Sequence, residues 1–178
     1  MSDNVEDKVT PQYQHIKELS QLKYETEEKR EQSLIQQASQ MQTVFSFITA
    51  AVFMAVPVCM QYRGELSLKF FFISISFITT FILFSLIFAS IAQWRWKTKS
   101  FPDVEVIKKS VLENPEWEKT LCEYNRIDQW INLVAIVQKE KARLNDRRVK
   151  LIMTSMICFF CSVITIAISF IVAVSIMI

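Results

Sequence analysis

Few side chains in this 178-residue chain are placed to do chemistry. The clearest group is basic. Lys139, Arg143 and Arg147 recur every four residues, and Lys150 follows closely. Residues four apart share one face of a helix, so these cations would form a ridge. Such a ridge can hold the phosphates of a nucleotide or nucleic acid. Lying just before an apolar block, it can equally set membrane topology and meet anionic lipid. Lys108 and Lys109 form a smaller pair.

A second group is polar but uncharged. Gln36, Gln40 and Thr43, with Ser33 and Gln37 beside them, precede an apolar stretch on one helical face. Ser155, Cys158, Ser162, Thr165 and Ser169 form a comparable stripe inside another. In an oligomer, a ring of glutamines could form a pore vestibule, and the Ser/Thr stripe a narrow water path. The alternative is packing, because small and weakly polar side chains bring membrane helices together and hydroxyls bond readily to their own backbone.

Other chemistry finds little support. The single histidine, His15, lies in a polar, solvated stretch, and the single glycine, Gly64, cannot build a phosphate-cradling loop. Glu27 and Glu28 belong to a mixed charge run, which reads as a solvated face. The Cys158-Phe-Phe-Cys161 spacing resembles a redox or metal pair, but it has no second pair and lies in an apolar block. No enzymatic activity, metal or cofactor is expected.

The elements that must position these groups follow from how apolar residues are distributed. They make up 51% of the chain but gather in three blocks, residues 44–62, 70–94 and 151–178. No charged residue lies between Glu31 and Arg63, between Lys69 and Arg95, or after Lys150. A bilayer core needs about 20 apolar helical residues, and each block is long enough. Nothing alternates as a membrane strand would. The expected fold is all-α: an integral membrane protein with three transmembrane helices and a helical cytoplasmic region, assembled as a homo-oligomer. The first block begins too far into the chain for a signal peptide, and no lipidation box is visible.

Orientation comes from Lys and Arg, which total 20. Only Arg63 and Lys69 lie in the first connection, and none follows the third block. Basic residues stay in the cytoplasm. Residues 1–43 and 95–150 are therefore expected inside, the 63–69 turn and the C-terminus outside. Trp94 and Trp96 fall at the inner interface, where indoles prefer to lie. The four cysteines, Cys59, Cys122, Cys158 and Cys161, fall in the bilayer or cytosol, and no disulfide is expected.

The water-facing parts also read as helix. From Pro11 to Thr43 no further breaker occurs, so that segment should run straight into the first span. Asp103 to Asn114 reads as a short capped helix. From Pro115, the residues Trp117, Leu121, Tyr124, Ile127, Ile131, Val134 and Val137 define one stripe, and no breaker precedes Leu151. That stripe needs a partner, and Tyr13, Ile16, Leu19 and Leu22 of the N-terminal helix are the candidates. Pro57 near the far end of the first span frees one carbonyl and could kink it.

A charged helix entering a two-helix membrane hairpin, then a long cytoplasmic helix, resembles the SLATT group of small bacterial membrane effectors. The residues concerned are Glu25–Gln42, Val44–Tyr62, the Arg63-Gly64-Glu65 turn, Phe70–Trp94 and the helix from Pro115. Leu34-Ile35-Gln36-Gln37-Ala38 and Asn145-Asp146-Arg147-Arg148-Val149-Lys150 are similar to the membrane effectors of Hailong-type antiphage systems. The third span, 151–178, departs from the two-span pattern. The resemblance implies a channel in the bacterial inner membrane that depolarises the infected cell. It further implies control by a nucleotide or short DNA made by a partner nucleotidyltransferase.

The residues themselves leave three functions open. A homo-oligomeric channel would use the Gln or Ser/Thr faces for its axis and Lys139, Arg143, Arg147 and Lys150 for its ligand. A non-conducting scaffold or immunity protein would use both faces for packing and bind another membrane protein through the Trp117–Val137 stripe. A small transporter is less well supported, since ion-coupled carriers keep charged groups within their spans.

Overall fold

A computed structural model of the chain describes residues 3–61, 64, 67–94, 96, 105–106, 108–109 and 123–177. Three long helices dominate: α1 (Asp3–Gln61), α2 (Leu68–Gln93) and α3 (Glu123–Met177). Each contains a segment long and apolar enough to cross a membrane. α2 alone has 26 residues, which at about 1.5 Å per residue exceeds a hydrocarbon core of about 30 Å. The expected all-helical architecture with three apolar spans is therefore observed. Glu105, Val106, Lys108 and Lys109 are helical. The rest of the short helix expected over 103–114, and Trp117, Leu121 and Cys122, lie outside the described residues.

α1 starts ahead of Pro11 and continues past Pro57, so neither proline ends it. α1 also carries the water-facing segment into the apolar one without interruption. Gly64, between α1 and α2, has φ 57°. That left-handed conformation costs glycine nothing and other residues about 1–2 kcal/mol. α2 then opens on extended Ser67, whose carbonyl accepts the Phe71 N–H at 3.2 Å.

The chain divides into two compact units, Met1–Gln32 with Trp96–Asn145, and Ser33–Arg95 with Asp146–Ile178. In the first unit α1 and α3 run parallel: Tyr13 lies 6.0 Å from Tyr124, and further along both helices Glu27 meets Asn145. Ile127, Val134 and Val137 are buried along α3. The expected partner face of α1 is corrected in part. Tyr13 is half-buried, but Ile16, Leu19 and Leu22 stay 44%, 52% and 61% exposed. Successive steps of three drift around a helix of 3.6 residues per turn, whereas Tyr13, Ser20, Tyr24, Glu27 and Glu31 keep to the seam.

In the second unit all three helices meet. Ala38 of α1, Ala92 of α2 and Ile152 of α3 form a buried cluster, flanked by Leu34, Met41 and Leu151. Phe45 stacks on Phe159 with centroids 4.3 Å apart. Such a pair contributes about 0.5–1.5 kcal/mol beyond its area. α2 runs antiparallel to α3, with Ala92 beside Ile152 and Ser85 beside Ser155. The outward faces are bulky and apolar, as at Phe47, Phe72, Phe77, Phe160 and Phe170. In water these would be aggregation surfaces; lipid solvates them.

Candidate functional site

The residues expected to bind a ligand are all exposed: Lys139, Arg143, Arg147 and Lys150 stand out from α3, and exposed Asp146 interrupts them. Lys139 and Arg143 fall in the first unit, Arg147 and Lys150 in the second. Within each unit the pair lies on the exposed side of α3. Exposed cations attract anions only through a field that salt screens.

The two polar faces part company in the structure. Gln36, Gln40 and Thr43 are exposed on α1. Ser155 and Ser162 are 0% and 1% exposed. Ser155 Oγ donates to the Ser85 carbonyl at 2.8 Å, and Ser162 Oγ to the Phe159 carbonyl at 2.7 Å. Thr165 is half-buried and donates to its own helix at Cys161. Ser169 lines a cavity of about 490 Å³ in the second unit with Val52, Cys59, Phe71, Ser74 and Ile78. Within one protomer the α3 stripe thus packs, and the α1 face does not.

A set of polar residues that sequence reasoning passed over holds α3 in place. In the first unit, Asn145 is 0% exposed and its amide donates to the Glu27 carbonyl at 3.0 Å and to Glu27 Oε2 at 2.9 Å. Lys141 Nζ lies 4.6 Å from the Tyr24 ring centroid, 3.8 Å from Glu31 and 4.0 Å from Glu28. Glu27 and Glu28, expected on a solvated face, are instead half-buried, because α3 brings an amide and an ammonium to them. In the second unit Arg148 is 1% exposed, and its Nη2 reaches the Trp94 carbonyl at 3.4 Å. There, too, the Gln93 amide donates to the Gln42 amide oxygen across α2 and α1.

One signal would have found these groups. Counting by sevens from Ile127 gives Val134, Lys141, Arg148, Ser155, Ser162 and Ser169. A seven-residue repeat keeps a position on one seam of a helix pair. The apolar members and the Ser members were both recognised, but the two charged members between them were not.

Among the described residues, no group of three or more His, Cys, Asp or Glu could hold a metal ion. Cys59, Cys158 and Cys161 are free. No protein-family model, curated protein or solved structure matches the chain.

Proposed function

We propose that this protein is a homo-oligomeric channel effector of bacterial antiphage defence. It sits in the cytoplasmic membrane with its N-terminus inside and its C-terminus outside. A nucleotide or short DNA, made by a partner nucleotidyltransferase, acts on Lys139, Arg143, Arg147 and Lys150, and the open channel depolarises the cell. The defence role and its signal rest on the likeness to SLATT-type effectors.

The observation that carries the channel reading is the exposed amide and hydroxyl face at Gln36, Gln40 and Thr43, at the mouth of a charge-free span. Among the described residues a single protomer offers no polar path of its own. Its seam is closed by Ala38, Ala92 and Ile152, and the cavity at Ser169 is lined by apolar groups apart from Ser74, Ser169 and the Cys59 thiol. Conduction therefore needs several copies, as closed symmetry provides.

Purified protein in liposomes should pass ions in response to a cytoplasmic nucleotide. Protein that inserts correctly yet never conducts, with or without such a ligand, would sink the proposal. A second reading, a non-conducting scaffold or immunity protein, draws support from the burial of Ser155 and Ser162 within one protomer.

A further inference from the structure

We infer that copies of this chain meet through α1, in parallel, so that Gln36 and Gln40 of one copy face the same residues of the next. The inference rests on the homo-oligomeric reading above and names the contact that reading leaves open.

The first argument is what remains uncovered. In the spans, α3 spends Ile152, Ser155 and Ser162 inside the protomer, and α2 spends Ser85, Ala89 and Ala92. Most of what α3 turns outward is large and apolar, as at Phe160, Ile164 and Ile171, and α2 does the same at Phe77 and Phe84. Small hydroxyls are exposed among them, and those of Ser90, Thr154 and Ser175 bond to carbonyls of their own helix. Lipid satisfies such faces. α1 alone turns glutamines outward where it enters its apolar stretch.

The second argument is spacing. Ser33, Gln36, Gln40, Thr43, Phe47, Ala50 and Met54 advance by alternating steps of three and four, and all are exposed. Phe47 and Met54 are 73% and 70% exposed, the most of any large apolar residue on α1 among those whose side chains are described. Alternating steps of this kind are the seam of a helix pair. α1 therefore carries two seams. Ala38 and Phe45 mark the one buried within the protomer, and Gln40 and Phe47 mark the one left open. In the first unit, exposed Leu19 continues the register of the open seam in sequence, as does Leu22.

The third argument is electrostatic. Identical helices around an axis bring each residue to its own copy, so a charge there meets the same charge. The stretch from Gln32 to Gln42 is hydrophilic, yet it holds no Lys, Arg, Asp or Glu. A surface helix facing only water has no reason to avoid them. An amide, by contrast, both donates and accepts and so bonds to its own kind. The protein already uses that bond between helices, where Gln93 donates to Gln42.

The experiment is disulfide cross-linking in membranes, on full-length protein with Cys59, Cys122, Cys158 and Cys161 replaced by Ser. Single cysteines are introduced as Gln36→Cys, Gln40→Cys and Phe47→Cys on α1, with Phe84→Cys on α2 and Phe160→Cys on α3 as comparisons. Oxidation should yield linked dimers from the α1 positions and none from the other two. Gln36→Lys combined with Gln40→Lys should shift the otherwise native protein toward monomer in detergent. Dimers from α2 or α3 in place of α1, or no dimers at all, would overturn the inference. Protein that links through α1 but never conducts keeps the contact and loses the channel. Protein that conducts but links through α3 does the reverse.

Discussion

Ser85 and Ser155 each donate a hydroxyl to the other's backbone carbonyl, at 2.9 Å and 2.8 Å, with the two hydroxyl oxygens 3.2 Å apart. Only small side chains permit that closeness, and only in lipid does it count for so much of the association. Replacing either serine with alanine should cost about 0.6–2 kcal/mol. Because the two bonds share one contact, the double variant should cost less than the sum. Ser155→Leu should cost more than either alanine, because it forces the helices apart. Unfolding in mixed micelles measures all four.

Asn145 is the corresponding polar anchor of the water-facing unit, with its amide donating twice to Glu27. Asn145→Ala leaves that carboxylate half-buried without its amide donor and should destabilise the unit by about 1–3 kcal/mol. Asn145→Leu should keep α1 and α3 together but relax their register, as loss of a seam asparagine does in other helix pairs. Cross-linking of Tyr13→Cys with Tyr124→Cys reads the register directly: the yield should fall in Asn145→Leu relative to the parent.

Lys141 lies between two carboxylates and above a ring, yet its side chain keeps 12% exposure against 46% for Glu28. The arm to Glu28 is screened by solvent and contributes about 0–1 kcal/mol, and the Lys stem packs like an apolar chain. Glu31, however, keeps only 22% exposure and loses this ammonium in Lys141→Met, which should therefore cost about 1–3 kcal/mol. Lys141→Glu should be clearly destabilising, since it faces Glu28 and Glu31. The loss should shrink in high salt, which screens like charges, and denaturant titration at two ionic strengths would detect this.

Arg147 and Arg148 are neighbours in sequence but not in environment: one is exposed, the other 1% exposed and bonded to the Trp94 carbonyl. Arg148→Ala should cost on the order of 2 kcal/mol or more through the lost charged hydrogen bond and the space left behind. Arg147→Ala should stay within about 0.5 kcal/mol. Thermal unfolding of the two variants side by side tests the contrast. Equal losses would mean that burial does not separate them.

Function at the ridge can be probed separately from stability. If the proposed nucleotide signal acts there, Arg143→Glu with Arg147→Glu should abolish the response to it while leaving insertion and assembly unchanged. Ion flux from liposomes, with and without ligand, is the measurement.

Much of the fold was legible because lipid imposes a blunt rule. A charge-free run the length of Phe70–Trp94 admits few structures besides a spanning helix, and α2 occupies nearly that segment. The seam was harder to read. Burial there follows a seven-residue count whose residue types change along α3, from Val134 through Lys141 and Arg148 to Ser155. A search for apolar periodicity stops at the first charge. Ile16, Leu19 and Leu22 misled for the converse reason: they are apolar, but their steps of three carry them off the seam that Tyr13 and Tyr24 hold. The basic ridge was legible as a pattern and stays one in the structure, where Lys139, Arg143, Arg147 and Lys150 are all exposed on α3.

The change of character along α3 sets how the molecule should come apart. Val134 and Val137 associate because water expels them, whereas Ser155 holds Ser85 by hydrogen bonds where no water competes. Urea weakens the first kind of adhesion and has no purchase on the second inside a bilayer. One helix is thus glued by two adhesives with different solvents. Denaturant should release the water-facing unit first and leave the spans assembled, so the protein will register two melting events where its three helices suggest one.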